Sequence, residues 1–535
     1  MNKREFKGTW RLVSLLYRQH RFKILLWLFG IIGISLTTAL VYPEIYLTQE
    51  DILGFAMTVE NPAMRALLGA NYAVSDFNVG AIYASEMLMF TSIAVAIMNI
   101  LIMKTSTREA EEEGRLEIIQ SLPVGNLASI VASLALLFFV NLAIILLLTL
   151  GLTILGTDVF TIESSLLYST ILGVTGFLFA AFTAVAAQLS KIAYGTTIFS
   201  FGFLMLSYGI RIIGDIQNET LSLFSPLGWV TQSEVFVNNN WLPIMVLAIS
   251  SLVLVIVAFY LRAKRDMFAG ILPSRSGKAR ASSFLKTTPG FIWTMQKGKV
   301  IGFFLLIFTL SATFGAILGE METYFSDMEI IQVFLDDRSG STMTEQFISF
   351  LIELMTIFSI VPGVMILHSL KKEELAGRME HFYTRAVSRT KIFVSYFSYA
   401  LGTVLLMQLG LAFGIFSTSV MMLENPIALR SLIEATLVYL PTILFVLGVA
   451  TLFVGALPKY TLITWFYTLF LFLILYLSDL LDFPQWLNDF SALYLVPNYP
   501  YEPLNWNIMG LLSGIGIIFT VLGLIGYKKR DIQSS

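Results

Sequence analysis

The sequence predicts an all-α integral membrane protein with about twelve transmembrane helices. Its 535 residues are 56% hydrophobic and only 13% charged, and the mean hydropathy is +0.77, which excludes an ordinary soluble domain. Apolar runs of about twenty residues, the length that crosses a bilayer as a helix, recur along the chain. These runs lack the alternation of β-strands. In lipid only helices and closed barrels satisfy the backbone polar groups, so we expect a helical bundle.

The predicted spans form two groups of six. They cover roughly residues 22–42, 84–104, 128–150, 165–188, 193–213, 242–262, 300–319, 346–370, 393–420, 434–456, 460–480 and 508–527. Six spans return the chain to the side on which it started, so the two groups are predicted to be parallel repeats. The predicted domains are a first transmembrane half, 1–264, a cytoplasmic linker rich in Ser, Lys, Arg and Gly, 265–289, and a second transmembrane half, 290–535.

Lysine and arginine predict the orientation. If the N-terminus is cytoplasmic, 30 of the 34 basic residues lie on the cytoplasmic side, and those left outside are Arg65, Arg211, Arg338 and Arg430. The positive-inside rule therefore places both termini in the cytoplasm. The stretch Met1–Lys23 is basic with interleaved apolar residues, which predicts an amphipathic helix on the inner leaflet before the chain turns into the first span.

A charged segment occurs twice, each time after the second span of a half. We call residues 108–117 the first charged segment and residues 371–380 the second. Their candidate site residues are Glu111, Glu112, Glu113, Gly114, Arg115 and Glu117, then Glu373, Glu374, Gly377, Arg378 and Glu380. A glutamate four residues before an arginine supports a short helix. The predicted ion pairs are Glu111 with Arg115 and Glu374 with Arg378. A merely solvated loop need not repeat glycine, arginine and glutamate at fixed spacing, so we favour a helix on which a protein docks.

The repeated pattern is Glu-x-x-Gly-Arg-x-Glu, and it accompanies twelve spans and an outer Asn-Pro-x-x-Arg-Ala-Leu-Leu-Gly stretch at 61–69. In these features the chain resembles the ABC-type exporter permeases of the polyketide-antibiotic and multidrug exporter group. The resemblance implies a single chain with two fused halves that exports hydrophobic or amphiphilic, antibiotic-like compounds. It also implies separate ABC ATPase subunits, in two copies, that bind ATP and Mg and grip the charged segments as coupling helices. The second copy is looser, with Leu375 and Ala376 in place of two glutamates.

Motifs for chemistry on the chain itself are missing from the sequence. A phosphate-binding loop needs Gly-x-x-x-x-Gly-Lys followed by Ser or Thr, and the nearest candidate, Gly270–Lys278, has the wrong spacing. The histidines His20, His368 and His381 lack metal-ligand spacing, and the chain contains no cysteine. We therefore expect no catalytic site, no metal, no cofactor on this chain and no nucleic-acid partner. From the apolar spans and the resemblance we expect a multi-pass location in a bacterial cell membrane.

Ionisable residues inside predicted spans form a separate group, because such groups are costly in lipid and often functional. Arg211, at the outer end of the fifth span, and Glu353, a turn or two into the eighth, are candidates for the substrate path. The alternative for them is a structural ion pair. Three other functions stay open: a secondary transporter driven by an ion gradient, an immunity or sensor protein that uses an ABC ATPase, and a membrane-embedded lipid-group transferase.

Overall fold

The computed structural model confirms the predicted fold class. Twelve helices in the described part of the chain are long and apolar enough to cross a membrane, and each predicted span falls mainly within one of them. The structure describes residues 3–46, 52, 55, 65, 68–69, 78–155, 159–217, 219–266, 268–272, 280, 282–318, 343–375, 377–379, 387–423, 426–478, 483–497, 499 and 503–531. Glu380, His381 and most of the outer stretch at 61–69 lie outside these residues.

The first compact unit comprises Met1–Gly277. After a 3-10 turn at Lys3–Phe6 its helices are α1 Thr9–Ile45, α2 Val79–Ser106, α3 Arg108–Glu112, α4 Arg115–Gln120, α5 Ala128–Ile154, α6 Ile162–Leu189, α7 Ala193–Gln217, α8 Glu219–Ser222, α9 Pro226–Thr231 and α10 Leu242–Lys264. Helix α6 is central, because it packs against α2, α5, α7 and α10. The short helices α3 and α4 hold the first charged segment, directly after the second membrane-length helix.

The second compact unit comprises Lys278–Ser535. Its helices are α11 Thr288–Ile317, α12 Met343–Leu375, α13 Arg389–Met422, α14 Leu429–Leu437, α15 Leu440–Ala456, α16 Leu462–Leu477, α17 Gln485–Asn488 and α18 Trp506–Lys529, with a 3-10 turn at Pro458–Tyr460. The same spans pair in both units. The first packs on the third (α1 on α5, α11 on α13), and the fourth packs on the sixth (α6 on α10, α15 on α18).

Glycines bring α15 and α18 into close contact. A Cβ added to Gly448 would lie 2.4 Å from the carbonyl oxygen of Gly516, and one added to Gly455 would lie 2.0 Å from that of Gly523. Small residues permit such backbone approach between membrane helices, where close packing replaces the hydrophobic driving force. The last membrane helix of the second unit therefore lies in backbone contact with its neighbour at these glycines.

Helix α1 corrects one prediction. The described residues of the predicted segment Met1–Lys23 do not form a separate surface helix, because α1 runs without interruption from Thr9 into the first span. Leu12, Leu16 and Ile24 are buried at four- and eight-residue intervals along it. This stripe packs on the rest of the unit, so the burial of apolar side chains holds the segment in line with the span.

Candidate functional site

Each charged segment bends at its glycine. Gly114 has φ +73° and Gly377 has φ +70°, in the left-handed region that other residues rarely adopt. The N–H of Gly114 donates to the carbonyl of Glu111 at 3.1 Å, and that of Gly377 donates to the carbonyl of Glu374 at 2.9 Å. These bonds satisfy carbonyl groups left open at a helix end. The repeated glycine therefore has a structural reason: it ends one helical turn and redirects the chain.

Two predicted ion pairs are wrong, those of Glu111 with Arg115 and of Glu374 with Arg378. Arg115 pairs instead with Glu113, with Nη2 2.7 Å from Oε2. Arg378 donates from Nη2 to Glu373 Oε1 at 3.0 Å, and the bonding to Glu373 raises the pKa of the Arg378 guanidinium above its ordinary value. The predicted spacing requires one continuous helix, and the glycine interrupts the helix between the glutamate and the arginine.

The Glu111 carboxylate points into the first unit. Only 2% of the residue is exposed. Its Oε2 lies 2.9 Å from Arg108 Nη1 and 2.7 Å from Arg265 Nη2, and its Oε1 accepts the N–H of Phe268 at 2.6 Å. Arg265 directly follows α10. The carboxylate therefore ties α3 to the end of the last membrane helix of its unit.

The chain after α10 closes over this ion cluster. The carbonyl of Ala269 accepts hydrogen bonds from Arg108 Nη2 at 2.9 Å and from Arg265 Nη1 at 2.6 Å. Further on, the N–H of Ile271 donates to the carbonyl of Gln188, near the end of α6, at 3.1 Å. Residues 268–272 of the predicted linker are thus bound to the first unit.

Glu374 makes the corresponding connection in the second unit. It is 6% exposed and pairs with Nη2 of Arg530, the residue that directly follows α18. The position that corresponds to Arg108 is Lys371, whose Nζ donates to the Thr461 hydroxyl at 3.2 Å. In both units, therefore, a buried glutamate of the charged segment binds the arginine that ends the last membrane helix.

Glu112 anchors the first charged segment a second time. Its carboxylate accepts the N–H of Ala193, the first residue of α7, at 2.8 Å. A carboxylate at a helix N-terminus satisfies a free backbone N–H and interacts favourably with the helix dipole. The corresponding residue of the second segment is Leu375, whose side chain cannot accept such a bond.

The outward face of the first charged segment combines charge with two apolar side chains, and we count with this face the residues 118–122 that directly follow the segment. Glu113 and Glu117 are exposed, as are Ile118 at 71% and Leu122 at 58%. Ile118 and Leu122 are four residues apart, on one side of α4 and the turn that follows it. An apolar patch rimmed by charged groups is typical of a surface that binds another protein.

Arg211 and Glu353, the predicted substrate-path residues, have partners within their own units. Arg211 is fully buried, with Nη1 3.2 Å from Asp215 Oδ2 and its guanidinium carbon 4.6 Å from the ring centre of Tyr208. Glu353 accepts a hydrogen bond from the Tyr439 hydroxyl at 3.2 Å. For Arg211 this geometry favours the structural alternative, with Asp215 as the acidic partner.

Amide groups link the same pair of spans in both units. Asn99 on α2 and Asn141 on α5 exchange hydrogen bonds of 3.1 and 2.8 Å. Gln408 on α13 donates to the hydroxyls of Thr356 and Ser359 on α12, both at 3.1 Å. Such contacts hold membrane helices together, because a polar group in lipid has few other partners. In the sequence, single polar residues inside apolar spans indicate such interhelical hydrogen bonds.

Sequence reasoning missed Arg265 and Arg530. Basic residues after a span are expected on the cytoplasmic side of any membrane protein, so these two did not stand out. The available signal was positional, because each arginine directly follows the last span of its half.

Comparison with known proteins gives two findings. The family described as "Multidrug efflux system permease Rv1217c, C-terminal domain" matches residues 11–261 and 285–528. The "Multidrug efflux system permease protein Rv1217c" of Mycobacterium tuberculosis (strain ATCC 25618 / H37Rv) is 28% identical over 549 residues, which cover 99% of this chain and 96% of that protein. Together with the twelve membrane-length helices, these matches indicate a multi-pass protein of a bacterial cell membrane.

Proposed function

Because the chain belongs to the multidrug efflux system permease family, we propose that it is the membrane subunit of an ATP-driven ABC exporter. In this proposal it moves hydrophobic or amphiphilic, drug-like compounds out of the cell. Two copies of a separate ABC ATPase bind ATP and Mg, and they dock on the two charged segments. The sequence supports a motor in trans, because it lacks a phosphate-binding loop.

The arrangement of the first charged segment is the observation that carries this proposal. Glu111 and Glu112 fix the segment inward to α10 and α7. Ile118 and Leu122 stay exposed on its outward face. A loop that only joins two spans needs neither feature. Burial of two such side chains by a partner contributes about 1.5–3 kcal/mol each, enough to anchor a docking contact.

Copurification tests the proposed assembly. The chain should copurify with its cognate ATPase in a ratio of one chain to two ATPases, and the isolated chain should not hydrolyse ATP. Native mass spectrometry and a phosphate-release assay measure the two quantities. Hydrolysis by the isolated chain, or a one-to-one complex, contradicts the proposal.

A substitution on the outward face tests the docking surface. Ile118→Asp should weaken ATPase binding about tenfold or more, since each 1.4 kcal/mol lost is a factor of ten. Asn126→Asp, at an exposed polar residue of the same loop, adds the same charge and is the matched control. Equal binding by the two variants would place the ATPase contact elsewhere.

A further inference from the structure

We propose that each charged segment is latched to the last membrane helix of its unit, so that the two move as one body during transport. The latches are the ion pairs of Glu111 with Arg265 and of Glu374 with Arg530. These four are positioning residues: they carry movement of a docked segment into the membrane. The inference rests on the proposed function in one respect, that an ATPase supplies the movement.

Burial makes these pairs able to transmit force. In the first latch both side chains are 3% exposed, and in the second the glutamate is 6% and the arginine 15% exposed. Breaking a buried pair leaves an uncompensated charge in a medium of low dielectric constant, which costs far more than the opening of a surface pair. The neighbouring pair of Arg115 with Glu113 is largely exposed and has no such resistance.

Recurrence separates the latch from ordinary loop packing. The surroundings of the two latches differ, since Arg108 corresponds to Lys371 and Glu112 to Leu375. Lys371 donates to the Thr461 hydroxyl, and the Leu375 side chain has no carboxylate that could accept the N–H of a helix. The ion pair between the segment and the end of the last helix is present in both units. The contacts of Arg108 and Glu112 do not recur in the second unit, but this ion pair does. A contact that only folded one loop would have no reason to be the one that recurs.

The packing of α10 and α18, the last membrane helix of each unit, allows each to move with its charged segment. Helix α10 packs mainly along α6, and α18 packs mainly along α15. The contact of α18 with α15 brings Gly516 and Gly523 against Gly448 and Gly455, and Thr451 donates to the Thr520 hydroxyl across it at 3.3 Å. Shear motions are small displacements of packed helices along one another. The end of α18 is also bonded to α13, because Arg389 donates to the carbonyl of Arg530 at 2.8 Å, so the start of α13 belongs to the body that moves with the second latch.

Removal of the arginines tests the inference in cells that express the chain with its cognate ATPase. Arg265→Gln and Arg530→Gln should each lower the rate of ethidium efflux, measured per copurified ATPase, about tenfold or more. Arg430→Gln is the matched control, because Arg430 pairs with Glu434 at 2.8 Å and the two side chains are 90% and 40% exposed. Efflux within twofold of wild type in both latch variants overturns the inference.

Exchange of the two charges separates latching from folding. Glu374→Arg combined with Arg530→Glu rebuilds the pair in the opposite sense and should restore folding and efflux even where Arg530→Gln fails to fold. A folded exchange variant without efflux contradicts the latch.

A covalent latch gives an independent readout, because the chain contains no cysteine. Glu374→Cys with Arg530→Cys should have low efflux, and a short bifunctional thiol reagent that links the two positions should restore it. Efflux that stays low after complete cross-linking overturns the latch. A wild-type chain that does not bind an ATPase contradicts the proposed function, whereas normal efflux by latch variants of a chain that does bind one contradicts the latch alone.

Discussion

Glu111 and Glu113 stand two residues apart in the same acidic run, yet they have opposite roles. The side chain of Glu111 is 3% exposed and faces two arginines, whereas that of Glu113 is 53% exposed and faces one. Charge pattern alone could not separate them. The difference depends on the glycine turn and on Arg265, which is distant in the sequence. The sequence could identify the segment but not the direction in which each glutamate points.

Charge reversal at these two glutamates should separate their roles. Glu111→Lys places a third positive charge among Arg108 and Arg265, and loss of the buried pair should lower the free energy of unfolding by about 3–5 kcal/mol. Glu113→Lys disturbs one exposed pair and should cost at most about 1 kcal/mol. Thermal unfolding in detergent, followed by tryptophan fluorescence, measures both. Equal stability of the two variants would contradict the buried network.

The pair of Arg211 with Asp215 allows a test of structural against functional roles. Arg211→Met alone leaves a buried carboxylate and should lower the free energy of unfolding by about 3–5 kcal/mol. Combined Arg211→Met and Asp215→Leu removes both charges and should recover most of that loss, because an apolar pair often replaces a buried ion pair without cost. Efflux should recover with stability. A stable double variant without efflux would instead assign Arg211 to the substrate path.

At the scale of elements, the sequence predicted what depends on local composition. Twelve spans follow from the length of apolar runs, and the described residues form twelve helices long and apolar enough to cross a membrane. The helix ends depend on packing and were predicted less well. Thr9–Ile45 continues beyond the span because Leu12 and Leu16 find a surface to pack on. The predicted pair of Glu111 with Arg115 assumes that the helix continues through Gly114. The glycine has a positive φ and ends the helical turn there.

The glycine face between α15 and α18 predicts a sharp difference between two glycine substitutions. Gly455→Ala should lower the free energy of unfolding by about 1–3 kcal/mol, since its Cβ would lie 2.0 Å from the Gly523 carbonyl oxygen and the backbones must separate. Gly510→Ala, on the partner helix α18, meets nothing within 4 Å and should be neutral or stabilising by up to about 1 kcal/mol. Thermal unfolding of both variants measures the difference. If Gly455→Ala is as stable as Gly510→Ala, the helices are not in backbone contact.

At the scale of the whole molecule, the repeat is most visible in connections that the sequence did not reveal. Both units pair the same spans, and both join the end of the last helix to the charged segment. In the sequence, the repeat is indicated by the two similar charged segments at 108–117 and 371–380, because charged residues between apolar runs are easy to align. The buried partners Arg265 and Arg530 could not be predicted, because their pairing depends on how the helices pack in three dimensions.

Orientation in the membrane can be tested with single cysteines, since the chain has none. Trp486→Cys, at a residue 64% exposed, should react with an impermeant maleimide in intact cells. Ile118→Cys and Phe284→Cys, at residues 71% and 54% exposed, should react only after lysis, because the positive-inside rule places their segments in the cytoplasm. Reaction of Phe284→Cys in intact cells would contradict the predicted orientation.

The same cysteines then report the docking surface in purified protein. Added cognate ATPase should protect Ile118→Cys from the maleimide and leave Phe284→Cys reactive, because only the former lies on the outward face of the first charged segment. Mass spectrometry of the labelled chain gives the extent of reaction at each position. Equal protection of both would indicate that the ATPase covers this side of the protein broadly. No protection of Ile118→Cys, with the ATPase bound, would exclude the first charged segment as its docking site.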